Sequence, residues 1–118
     1  MNAIFCGNGS LLIQCAEVFR QSGGRLRGVI TADAQIAAWA VVQGIAHLGT
    51  PEAPDLGDAG FDWLFSVANL TVLPGALIAR ARLGAINFHD GPLPGRAGLN
   101  VPVWAILEGA AKIGRAHV

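Results

Sequence analysis

The chain has 118 residues, 53% of them hydrophobic and only 14% charged, with 8 basic and 8 acidic side chains and no formal net charge. That length holds one small domain or part of a larger one, and the shortage of charge fits a buried parallel sheet with some surface left for a neighbouring domain to cover. No basic field exists to steer the chain to nucleic acid, no apolar run is long enough to span a membrane, and no basic leader precedes the first strand, so a cytoplasmic protein is expected.

Residues 3–6 read as a short apolar strand closed by the turn Gly7-Asn8-Gly9-Ser10. A helix follows from residue 11 to about residue 21, with Leu12, Cys15, Ala16 and Phe19 on one face, Ser10 as its N-cap and Gly23-Gly24 as its stop. Residues 26–31 read as a second strand. Asp33 can cap a helix over residues 34–42, closed by Gly44, and residues 45–48 form a third, weaker strand. The stretch 50–60 carries Pro51, Pro54, Gly57 and Gly60 among the acids Glu52, Asp55 and Asp58, and reads as a surface loop or a poorly formed helical turn. Residues 62–67 make a fourth strand. Pro74 starts a helix that runs through Arg82, with basic residues in its last turn and Gly84 beyond it. Residues 85–88 are a fifth strand, and residues 100–109 a further helix with Pro102 in its first turn and Trp104 on it. Strands alternating with helices at this spacing predict an α/β domain: a Rossmann-like, open, mainly parallel sheet with helices on both faces.

Cys6 and Cys15 are too few for a disulfide framework, and their places suit buried thiols in a reducing cytosol. Gly7-Asn8-Gly9 invites a dinucleotide reading, but the third glycine of that motif would fall at Leu12, and Asp33 serves equally as a helix cap. A tight turn that lets the first helix pack closely on the sheet is the stronger reading. His47 has no acid or cysteine at ligand spacing, so no metal site is expected. The segment Asn87-Phe88-His89-Asp90-Gly91-Pro92-Leu93-Pro94 is the one that carries chemistry. Asn87 and His89 stand two residues apart at the end of a strand, so they share a face and converge at the carboxyl edge of the sheet. An amide donor there stabilises developing negative charge and an imidazole moves protons, a pairing that suits carbonyl chemistry.

With Gly98-Leu99-Asn100, Pro102 and Trp104-Ala105-Ile106 after it, this segment resembles the signature of the folate-dependent formyltransferases: Asn-x-His-x-Ser-Leu-Leu-Pro, then Arg-Gly, then Pro-x-x-Trp-Ala-Ile. Residues 28–31, 36–45 and 62–74 fall where that family has its N-terminal half, so the similarity covers nearly all of residues 1–112. The resemblance implies the N-terminal part of a formyltransferase domain, moving a formyl group from 10-formyltetrahydrofolate to a primary amine: an aminoacyl group on tRNA or on a carrier, or an amino sugar. It implies that Asn87 polarises the formyl oxygen and His89 assists proton transfer. Val67, Ala68, Asn69, Leu70 and Leu73 would line the folate pocket, with Leu93 and Pro94 in the signature loop beside it and Trp104 supporting that loop. The implied partners are the folate cosubstrate, the amine acceptor and further domains fused downstream, because the His-Asp-Gly-Pro-Leu-Pro form looks most like the formyltransferase-like domains of large biosynthetic synthetases. Two departures stand out: Gly91 replaces the signature serine, and Arg96 is shifted by one and takes no role. The family's third catalytic residue, an aspartate some tens of residues after the histidine, is expected beyond Val118. Asp90 is not that residue, since on an extended segment it points away from His89.

The last six residues, Ile113-Gly114-Arg115-Ala116-His117-Val118, can be written as ATC GGA AGA GCA CAC GTC, and with AAG for Lys112 this runs into the start of a common short-read sequencing adapter. The native domain is therefore expected over residues 1–112, with 113–118 as read-through, and the fragment alone is expected to bind folate at best. Two other classes stay open. One is a non-catalytic Rossmann-like domain of a biosynthetic synthetase, which a missing downstream aspartate would mark. The other is a nucleotide-dependent oxidoreductase, which protection by NAD rather than folate would mark.

Overall fold

The computed structural model describes residues 1–58, 60–69 and 73–88. The helix expected over residues 100–109, the signature segment from His89 onward and the read-through at 113–118 lie outside the described residues.

The chain begins with β1 (Asn2–Gly7) and α1 (Ser10–Gln21). The face of α1 that holds Leu12, Cys15, Ala16 and Phe19 is fully buried, as the helical spacing requires. Its cap departs from the expectation. Gly9 is the N-cap, with no side-chain cap, and Ser10 is the first helical residue. Gly9 adopts φ +80° there, and its N–H finds an oxygen on Asp33 instead. β2 (Arg25–Ile30) runs parallel to β1, and α2 (Ala34–Gln43) follows. Asp33 caps α2 as expected: its Oδ1 accepts the Gln35 N–H at 2.8 Å. No charged residue lies on α2, and Val41 and Val42 are 76% and 80% exposed on it.

The third strand is weaker than the sequence predicts. Residues 45–48 make one bridge, His47 to Val29, with the Val29 N–H donating to Ala46 O at 2.9 Å and the Leu48 N–H to Val29 O at 2.7 Å. The chain then turns away into a two-stranded antiparallel hairpin, β3 (Gly49–Thr50) and β4 (Ala53–Pro54), where a loop or helical turn was expected. Thr50 Oγ1 closes that hairpin by accepting the Ala53 N–H at 3.2 Å.

β5 (Phe61–Val67) comes next, then α3 (Gly75–Ala79) and β6 (Ala81–Phe88). The helix expected to run through Arg82 stops after five residues, and no basic residue lies in its last turn. Arg80 is its C-cap, while Arg82 already belongs to β6 and pairs with Asp62 of β5 at 2.6 Å. The parallel pairing of Phe61 with Ala81 thus captures residues whose local propensity favours helix. Gly84 is therefore a strand residue and no helix stop. Its φ of +151° accompanies a register shift against β5, and the Trp63 ring lies where a side chain would go.

The four strands form one sheet in the order β2-β1-β5-β6, with every neighbour parallel. Helices cover both faces, as predicted. On one face α1 and α2 bury Phe5, Phe19, Val29, Phe65, Val67 and Phe88. The rings of Phe5, Phe19 and Phe65 meet there with centroids 5.0 to 5.8 Å apart. On the other face Leu77 of α3 and Leu56, after the hairpin, pack on Ile4, Cys6, Ile30 and Leu64. At the amino edge, Asp62 joins three strands: Oδ2 accepts the Asn2 N–H at 2.9 Å and Oδ1 holds Arg82.

Candidate functional site

The helices wind in two directions. α1 and α2 lead from β1 outward through β2 on one face, and α3 leads from β5 to β6 on the other. The winding reverses between β1 and β5, and in open α/β sheets the carboxyl ends of the strands at such a reversal border the ligand crevice.

Here the two strand ends meet through main chain. The Asn8 N–H donates to Val67 O at 3.4 Å, and a Cβ on Gly7 would overlap Val67 O. Gly7 (φ +145°) therefore admits no side chain, on both conformational and steric grounds. A polar network fixes the turn that follows. Thr31, fully buried at the end of β2, donates its hydroxyl to Gly7 O at 2.6 Å and accepts the Asp33 N–H at 2.9 Å. Asp33 Oδ2 accepts the Gly9 N–H at 2.9 Å while Oδ1 caps α2. The donors from Gly9, then Gln35, hold the Asp33 carboxyl below the usual aspartate range. The carboxylate that a dinucleotide reading would reserve for ribose already has both oxygens on backbone donors, and Leu12 is buried where that motif has its third glycine. The turn does what the tight-turn reading asks of it. His47 Nε2 lies 2.9 Å from Thr31 O.

On the neighbouring strand, Val67 is fully buried among the aromatic rings under α1, so of this residue only the main chain lies free of the core at the strand end. Ala68 follows in the left-handed region, with φ +50°, its N–H donating to Phe88 O at 3.1 Å. That conformation is costly for a residue with a Cβ and marks an imposed backbone path at the strand end. Asn69 is half-buried just beyond it, and Leu73 is half-buried against the α3-side cluster. Asn87 lies on β6, exposed and one residue before the carboxyl end, paired in register with Ser66. Ala68, Asn69 and Asn87 are thus brought to one edge of the sheet, whereas the Val67 side chain faces the core. His89, Leu70, Leu93 and Pro94 lie outside the described residues.

Ser66 is a residue that the sequence reading passed over. It is 6% exposed, with Cys6 on one side and Asn87 on the other in a row across adjacent strands. A lone hydroxyl inside the apolar run Leu64-Phe65-Ser66-Val67 was the available signal. Cys6 is fully buried beside it, and burial first, then the nearby Glu52 charge, push its thiol up to about 12, so it stays protonated.

No protein-family model matches the chain, and no curated protein matches it. Among the described residues, no three His, Cys, Asp or Glu side chains gather as a metal-ligating group, and no helix is long and apolar enough to cross a membrane.

Proposed function

We propose that this chain is the N-terminal part of a cytoplasmic formyltransferase domain that passes a formyl group from 10-formyltetrahydrofolate to a primary amine. Asn87 is the observation that carries the reading. A carboxamide stands at the carboxyl edge of a parallel sheet, at the start of a segment that resembles the formyltransferase signature. The amine nitrogen attacks the formyl carbon, and the bond from that carbon to the folate nitrogen breaks. The amine gives up one proton and the folate nitrogen takes one up, so tetrahydrofolate leaves and no electrons change hands. The Asn87 carboxamide donates to the oxygen as it gains negative charge. His89 carries the proton between the two nitrogens. Ala68 and Asn69 border the folate from the adjacent strand end, with the main chain of Val67 beneath. The amine is an aminoacyl group or an amino sugar, delivered by domains fused downstream.

The test is formyl transfer from 10-formyltetrahydrofolate by the protein that carries this chain. Asn87→Ala should lower kcat on the order of a hundredfold or more. His89→Ala should lower it about 10²- to 10⁴-fold. Unchanged rates in both variants would overturn the assignment.

A further inference from the structure

We infer that the Ser66 hydroxyl is a second donor to the carbonyl oxygen that Asn87 holds, so that the two form a paired seat for a formyl group. This rests on the formyl-transfer reading above.

The register supplies the geometry. Ile30, Cys6, Ser66 and Asn87 are paired across all four parallel strands, each next to or at the last residue of its strand. Paired residues of parallel strands share a face, and neighbouring strands lie about 4.8 Å apart. An oxygen seated between Ser66 and Asn87 is therefore within reach of both side chains. The row also changes character along the sheet. Ile30 and Cys6 are apolar and fully buried, and polarity begins at Ser66, where the winding has already reversed.

The second observation concerns the hydroxyl itself. Ser66 is 6% exposed, yet its hydroxyl is bonded to no described residue. No enclosed side-chain nitrogen or oxygen among the described residues lacks a partner, so the Ser66 oxygen is not sealed in the core, and its register neighbour on the outer strand is the exposed Asn87. Hydroxyls this deep are normally bonded within the protein, and one left facing an opening is placed to bond a ligand. Cys6 cannot take the role, because a protonated thiol is a weak donor.

The experiment compares two ligands on the full chain by titration calorimetry: 10-formyltetrahydrofolate and tetrahydrofolate, which lacks the formyl oxygen. Ser66→Ala should weaken 10-formyltetrahydrofolate about three- to tenfold and leave tetrahydrofolate unchanged, the loss of one neutral hydrogen bond. The Ser66 hydroxyl is bonded to no described residue, so the Tm of the variant should not fall. Equal weakening of both ligands, or of neither, would overturn the paired seat while leaving the folate reading in place. A wild-type chain that binds neither ligand defeats the folate reading, and the Ser66 inference with it.

Discussion

Asp33 does two jobs with one side chain. Its Oδ1 caps α2 in the ordinary way, and its Oδ2 reaches across to the Gly9 N–H at the start of α1, placing negative charge at the amino ends of two helices. Asp33→Ala should cost about 1–2 kcal/mol in a urea melt, the upper part of the range for losing a helix cap. The pH dependence follows from the lowered carboxyl. A group held below its unfolded value stabilises the fold above that value, and the contribution is lost as pH falls through the folded one. Asp33→Asn should therefore flatten the acid limb of stability below about pH 4, followed by thermal melts from pH 3 to 7. The cap on α2 was legible, because Asp33 stands directly before a run of helix formers. The bond to Gly9 was not, since it spans 24 residues and exists only once β1 and β2 are paired. Ser66 was hidden for the same kind of reason: its neighbour Asn87 is set by register between strands, and local pattern does not report register.

Turns and strand ends explain where element boundaries moved. α3 was read too long because Ala81, Arg82 and Leu83 are as comfortable in a helix as Ala76 to Ala79, and the pairing of β6 with β5 decided between them. Residues 45–48 shrank to one bridge because the chain leaves β2 for the β3-β4 hairpin. The glycines of the first turn offer a direct test of what each contributes. Gly9 has positive φ with extended ψ, a region essentially reserved for glycine, but open space around it, so Gly9→Ala should cost only the conformational penalty, about 1–3 kcal/mol. Gly7→Ala adds a collision with Val67 O that no rotamer relieves, and should cost at least about 3 kcal/mol by forcing β1 from β5. Chemical denaturation of the two variants side by side would show the ordering, and equal costs would contradict the close approach.

At the scale of the molecule, one sheet separates two apolar layers, and each layer holds one cysteine. Cys15 lies among the α1-side residues and Cys6 among those facing α3. Burial pushes both thiols up to about 12. At pH 8 the thiolate fraction of either is then about one in ten thousand, so a thiol reagent should label neither while the chain is folded. In urea, the labelling midpoint of each of the Cys6→Ala and Cys15→Ala variants should match that variant's own loss of secondary structure by circular dichroism, because a single sheet that forms both layers unfolds as one unit. Labelling well ahead of the secondary-structure loss in either variant would mean that layer opens independently. This two-layer arrangement was legible early: alternating strands and helices, the buried face of α1 and the apolar run of β5 fixed the class. The carboxyl edge was legible only in part, since Asn87 announces itself in a motif whereas the backbone path through Gly7 and Ala68 has no signature outside the folded sheet.

That path carries one more implication. Where β1 and β5 abut at Gly7 and Val67, the two strand ends meet through peptide backbone. Replacements at neighbouring positions alter side chains and leave these peptide groups alone, so this contact is set by the backbone path of the fold. On the formyl-transfer reading proposed above, selection among ligands falls to the side chains beside it, at Asn69, Ser66 and Asn87. If that reading holds, a library randomised at those three positions should shift folate affinity while leaving the β1–β5 contact intact.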